Sequence, residues 1–113
     1  MLRSARSCHS DIRLILVFLT LIPGEVFDDD ALARLRRIFE RVCEDFESQL
    51  LEFSGQGDRV SLVVRIPPKV AVSRLVNSLK CVSSRRLKRE RPDLGQWFLE
   101  GRSLWSPSYS VTV

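Results

Sequence analysis

Asp58-Arg-Val-Ser-Leu-Val-Val-Arg-Ile-Pro-Pro68 is the stretch whose reading decides the fold. Val60, Leu62, Val64 and Ile66 take every second position, and Arg59, Ser61, Val63 and Arg65 take the positions between, so one face is apolar and the other mixed. That alternation predicts a half-buried antiparallel strand. Pro67-Pro68 ends it, because proline has no amide hydrogen to give to a ladder and biases the preceding residue toward extended geometry.

Working outward, Ser54-Gly55-Gln56-Gly57-Asp58 supplies glycines for a hairpin connection, and Leu50 to Phe53 reads as the short partner strand before it. Further upstream, Ala31, Leu32, Leu35, Ile38, Phe39, Val42, Cys43 and Phe46 recur at three and four residues, which predicts an amphipathic helix of about five turns. Asp28, Asp29 and Asp30 open it; three carboxylates could suggest a metal site, but an N-cap followed by first-turn acids explains them better. Ile12 to Thr20 is a continuous apolar run of strand length, broken by Pro23-Gly24. Downstream of Pro68, Val72, Leu75, Val76, Leu79 and Val82 mark a second amphipathic helix ending near Pro92, with Arg74, Lys80, Arg85, Arg86, Lys88, Arg89 and Arg91 expected on its exposed side. The tail holds Trp97, Phe98, Trp105 and Tyr109, then strand-like alternation over Ser110 to Val113. The order strand, helix, strand, strand, helix, strand predicts an α+β, ferredoxin-like (βαββαβ) fold, a four-stranded antiparallel sheet with both helices on one face. Its other face is expected to be open.

The chain has 113 residues, enough for one core, and 44% of them are hydrophobic. We expect a flexible N-terminus over 1–11 and a single domain over 12–113. Net charge is +4, but its distribution is uneven: nine acids face four bases over 25–54, and eleven bases face four acids over 58–102. Such a basic half suits a phosphate-bearing partner, although a solvated helix face would read the same. Cys8, Cys43 and Cys81 are scattered, without a Cys-x-x-Cys, and suggest neither a disulfide framework nor a zinc site. A reducing cytoplasm fits them. Arg3 and Arg6 ahead of Leu14 to Ile22 mimic a secretory signal, but the run is too short to span a bilayer and Pro23-Gly24-Glu25 is a poor cleavage site. A buried first strand accounts for the same residues.

One histidine (His9), one tyrosine (Tyr109) and three separated cysteines form no nucleophile–base pair at any defensible spacing. An open sheet face beside a basic helix points instead to nucleic acid. The strands lack the aromatics of the common RNA-recognition module.

Ile66-Pro-Pro-Lys-Val-Ala-Val-Ser-Arg-Leu-Val-Asn-Ser-Leu-Lys-Cys-Val-Ser-Ser-Arg-Arg-Leu87 and Ser103-Leu-Trp-Ser-Pro-Ser-Tyr109 carry a resemblance. Together with Glu25 to Phe53 they closely resemble the single-tyrosine transposases of the IS-two-hundred and IS-six-hundred-five type, whose relatives include the REP-associated tyrosine transposases. The resemblance implies an HUH-type fold of ferredoxin-like topology, usually dimeric, that binds imperfect DNA hairpins and cuts and rejoins single-stranded DNA. In that family the strand after the glycine-rich turn reads Asp-His-hydrophobic-His. The two histidines hold a divalent metal such as magnesium, and a tyrosine on a later helix attacks the scissile phosphate. Alternation places both histidines on one face.

At the matching positions this chain has Arg59 and Ser61. Arginine is a fixed cation with no free lone pair, and serine is a weak ligand for a catalytic metal. The sequence stops at Val113, short of the family's nucleophile helix, so neither metal site nor nucleophile is expected. Tyr109 matches the family's strand-entry segment and is read as a packing residue. Leu21-Ile-Pro-Gly-Glu25 stands where a basic turn is common, and Cys81 where a glycine is usual. The expectation is therefore a degenerate transposase domain without catalytic or metal-binding residues and without a cofactor. It would bind DNA hairpins or single strands through Arg74, Lys80, Arg85, Arg86, Lys88 and Arg89, as a homodimer and without a membrane. The alternatives are an enzyme still active through recruited residues, or a regulatory partner of an intact transposase.

Overall fold

The computed structural model describes residues 11–113; the expected flexible N-terminus, with Cys8 and His9, lies outside the described residues except for Asp11. The chain runs β1 (Ile12–Thr20), α1 (Asp29–Asp45), β2 (Gln49–Gln56), β3 (Arg59–Ile66), α2 (Val72–Glu90), a 3-10 turn (Pro92–Trp97) and β4 (Trp105–Thr112). The sheet order is β2-β3-β1-β4, with every neighbouring pair antiparallel. This is the ferredoxin-like arrangement that the order of periodicities predicts.

Alternation is obeyed on both central strands. Leu14, Leu16 and Phe18 of β1 and Val60, Leu62, Val64 and Ile66 of β3 are buried, and they meet Leu35, Ile38 and Phe39 of α1 and Leu75, Val76 and Leu79 of α2. The opposite face stays open, with Ile15 and Leu19 each 42% exposed. Asp28 caps α1, its Oδ1 accepting the Ala31 amide at 2.8 Å, as free amides at a helix start demand.

Two boundaries differ from expectation. β2 runs to Gln56, well past Phe53, and the hairpin closes in a tight turn at Gly57, whose φ is 60°. Gly55 is a strand residue rather than a turn residue. It points toward α1, where an added Cβ would come within 2.5 Å of Leu32 Cδ2, so the glycine serves close helix–sheet approach. β4 begins at Trp105 rather than Ser110, because Trp105 pairs with Thr20 and Tyr109 with Phe18. The side chains at its start are anchored from behind by α2, which strand propensity alone does not reveal.

Candidate nucleic-acid interface

Antiparallel register places Arg59 between Leu19 and Gln56, and Ser61 between Val17 and Ser54. Because Val60 and Leu62 point into the core, Arg59 and Ser61 point to the open face. Arg59 is exposed and Ser61 half-buried. Arg59 also borders a cleft of about 430 Å³ with Gly24, Glu25, Gln56, Gly57 and Asp58. Asp58 is engaged there: its Oδ2 accepts the Gly24 amide at 3.1 Å and its carbonyl accepts the Thr20 amide at 2.8 Å, tying the β1 exit to the β2–β3 turn.

A divalent cation does not fit this pair. A guanidinium offers charge of the wrong sign and no lone pair, and the hydroxyls of Ser61 and its register partner Ser54 offer only weak neutral ligands. Among the described residues, no three His, Cys, Asp or Glu side chains converge as a metal site would need.

Tyr109 lies on the other side of the sheet. It pairs in register with Phe18, whose ring is fully buried under the helices, and meets that ring edge-on at 6.3 Å. Sheet and core therefore separate its hydroxyl from Arg59 and Ser61.

The basic residues of α2 divide into two groups. Arg74, Arg85, Lys88 and Arg89 are exposed, and Arg74 and Arg85 flank a shallow groove of about 460 Å³ with Phe46, Asn77, Ser78, Cys81 and Val82. Arg86 is half-buried and bonds Glu90 Oε2 at 3.1 Å, while Arg34 holds the other Glu90 oxygen. Lys80 corrects the sequence reading, for it is only 8% exposed. Its Nζ donates to the carbonyls of Ser106 at 2.7 Å, Pro107 at 3.3 Å and Ser108 at 3.3 Å, and lies over the rings of Phe18 and Tyr109. All three ammonium hydrogens are thus committed to β4, and burial pushes the Lys80 pKa down. A helical wheel places Lys80 beside the basic stripe; only the packing of β4 along that flank turns it inward.

Arg91 is similarly diverted. Its guanidinium bonds Asp28, Asp30 and Asp93, each at 2.8 Å, which clamps the start of α1 to the end of α2. The Arg91 bonds hold the carboxyls of Asp93 and Asp28 below their ordinary range, and Arg34 with Arg91 does the same for Asp30. Cys43 is buried in the core and its thiol is pushed up to about 12 by burial, with Glu40 and Glu44 adding to the shift, so it is unreactive. Cys81 is exposed.

Sequence reasoning missed Arg102. It lines a cleft of about 450 Å³ between α2 and the entry to β4, together with Ser73, Asn77, Lys80, Cys81, Ser103 and Tyr109. Ser73, Asn77, Lys80 and Cys81 fall at helical spacing, which could have marked one helix edge as facing a partner element.

A ferredoxin-like sheet with one face covered and a basic helix flank defines the class. Within it, the model of the family described as Transposase IS200 like matches residues 8–113, and the chain belongs to that family. A solved structure from Deinococcus radiodurans, provisionally assigned as a transposase, is 26% identical, with a TM-score of 0.81 over 91% of this chain and 78% of that one. A REP-associated tyrosine transposase solved with a REP hairpin bound is 10% identical, with a TM-score of 0.63 over 88% of this chain. That likeness is one of fold, and this chain spans 54% of that protein's length. No curated protein matches the chain. No helix among the described residues is long and apolar enough to cross a membrane.

Proposed function

We propose that this chain is a degenerate transposase-family domain, one unit over 12–113, that binds DNA as a hairpin or single strand and does not cut it. The observation that carries the non-cleaving part is the placement of Arg59 and Ser61: they share the open face of β3, at the spacing where the family resemblance implies two metal-binding histidines. Arg59 offers a fixed cation where a metal would otherwise neutralise a phosphate. Tyr109 on the opposite face cannot supply a nucleophile to that position.

The DNA-binding part rests on Arg74, Arg85, Lys88 and Arg89, which are exposed and unmatched by acids of their own helix other than Glu90. Cytoplasmic action on DNA and a homodimer belong to the same reading; the exposed Ile15 and Leu19 support self-association through the open face. Binding of a fluorescent hairpin, followed by anisotropy across a salt series, tests it. Affinity should fall steeply with salt, and replacing Arg85, Lys88 and Arg89 by alanine should flatten the slope by about three charges. Salt-independent binding would overturn the phosphate-contact reading, and magnesium-dependent nicking of the labelled strand would overturn the non-cleaving one.

A further inference from the structure

Four guanidiniums meet in the groove between the two helices. Arg34, Arg37 and Arg41 of α1 and Arg86 of α2 line a depression of about 180 Å³ with buried Ile38 and a single acid, Glu90. The three arginines of α1 fall at i, i+3 and i+7, so one edge of that helix carries them all toward α2. Glu90 is already divided between two of the four: one oxygen accepts from Arg34 Nη1 and the other from Arg86 Nη2, each at 3.1 Å. Arg37 and Arg41 are exposed and make no ion pair among the described residues. The lining thus sets four positive charges against one negative, an excess that an anion would relieve.

The groove is smaller than the roughly 300–1,000 Å³ of pockets that enclose organic ligands. Its lining has no aromatic ring and no side-chain amide to seat a base. Along α1 the arginines are bracketed by acids, Asp29 and Asp30 in the first turn and Glu44 and Asp45 in the last, so an extended polyanion following the groove meets repulsion at both ends. A compact anion avoids both. We propose that this groove is a binding site for free inorganic diphosphate, two linked phosphoryl groups. Arg37 and Arg41, one turn apart, take one phosphoryl group, and Arg86 takes the other with the N–H groups that Glu90 leaves free, because guanidinium forks match phosphoryl oxygens. Bound there, the anion ties α1 to α2. The site is distinct from Arg74, Arg85, Lys88 and Arg89 and does not depend on the DNA-binding reading.

Calorimetric titration of pyrophosphate into the full chain at constant ionic strength tests it. One-to-one binding is expected, with a melting temperature that rises as the anion is added. The double variant Arg37→Gln, Arg41→Gln should weaken pyrophosphate by about tenfold or more, the scale of a lost charge-assisted hydrogen bond. Both residues are exposed and glutamine is a good helix former, so the anion-free variant should melt no lower than the parent. Its affinity for a DNA hairpin should stay within about threefold of the parent's. Sulfate binding as tightly as pyrophosphate would overturn the diphosphate and leave a generic oxyanion site. Tighter binding of ATP than of pyrophosphate would overturn the free anion in favour of a nucleotide's phosphate tail. Loss of hairpin and pyrophosphate affinity to the same degree in the variant would overturn it in favour of DNA. Absence of both binding heat and a melting shift would overturn the site outright and leave the DNA-binding reading standing.

Discussion

The ammonium of Lys80 sits 5.1 Å from the centre of the Tyr109 ring, and both lie across the sheet from Arg59. The same lysine grips three successive carbonyls of the edge strand, so α2 fixes where β4 begins. Lys80→Met should therefore lower stability by about 2 kcal/mol, the net of three charge-assisted bonds against the desolvation recovered. Urea denaturation measures it, and Tm should fall by roughly 10 °C. The pH dependence has a definite sign. Because the folded pKa lies below the ordinary 10.5, the unfolded chain binds more protons in the window between the two values, and stability there should rise with pH. The methionine variant should lack that component.

Histidines at both 59 and 61 would place two imidazoles on one face of β3. The double variant Arg59→His, Ser61→His should bind Co²⁺ about tenfold or more tighter than the parent, as read by calorimetry. Equal affinities would show that the open face cannot assemble a metal site even with the ligands restored.

Arg91 makes the domain acid-sensitive. Asp28, Asp30 and Asp93 have folded pKa values below the ordinary 3.8, so their contribution is present above pH 3.8 and is lost as pH falls below it. The carboxylates are exposed, so salt screens the cluster. Arg91→Ala should flatten the acid limb of a stability–pH curve below about pH 4, and added salt should shrink the difference between the two proteins.

Trp105 donates its indole N–H to Ser83 Oγ at 2.9 Å, with both residues buried. Ser83→Ala leaves that donor unpaired and should cost about 1–3 kcal/mol, whereas Ser73→Ala on the exposed part of the same helix should be close to neutral. Thermal melts of the two variants make the comparison.

Gly55→Ala should destabilise by about 1–3 kcal/mol through overpacking against Leu32 and Val60. A Leu32→Ala change in the same chain should recover part of the loss, which a double-mutant cycle would register as coupling.

Much of the fold was legible because its signals are local. Alternation over Arg59–Ile66, the apolar run of β1 and the three- and four-residue spacing of α1 each dictate one element, and Asp28 announces a cap. Gly55 was misread because a glycine required by a neighbouring helix looks the same, in sequence, as one required by a turn. Lys80 was misread for a related reason: its surroundings are set by β4, some 26 residues away along the chain. Arg102 belongs to no periodic segment, so only the folded contacts bring it to α2. That Arg59 and Ser61 share the open face of β3 was legible in the alternation of the strand, which by itself marks them only as two polar side chains on one face.

The Arg91 clamp changes how the charge of this molecule should be reckoned. Along the chain, the acids of 25–54 confront the bases of 58–102 as two blocks of opposite sign. In space, Asp28, Asp30, Asp93 and Glu90 are held by Arg91, Arg34 and Arg86 at the seam between the helices, so part of each block cancels internally. A polyanion approaching the outer face of α2 meets Arg74, Arg85, Lys88 and Arg89 as a cationic strip whose acidic counterparts have been folded away from its path.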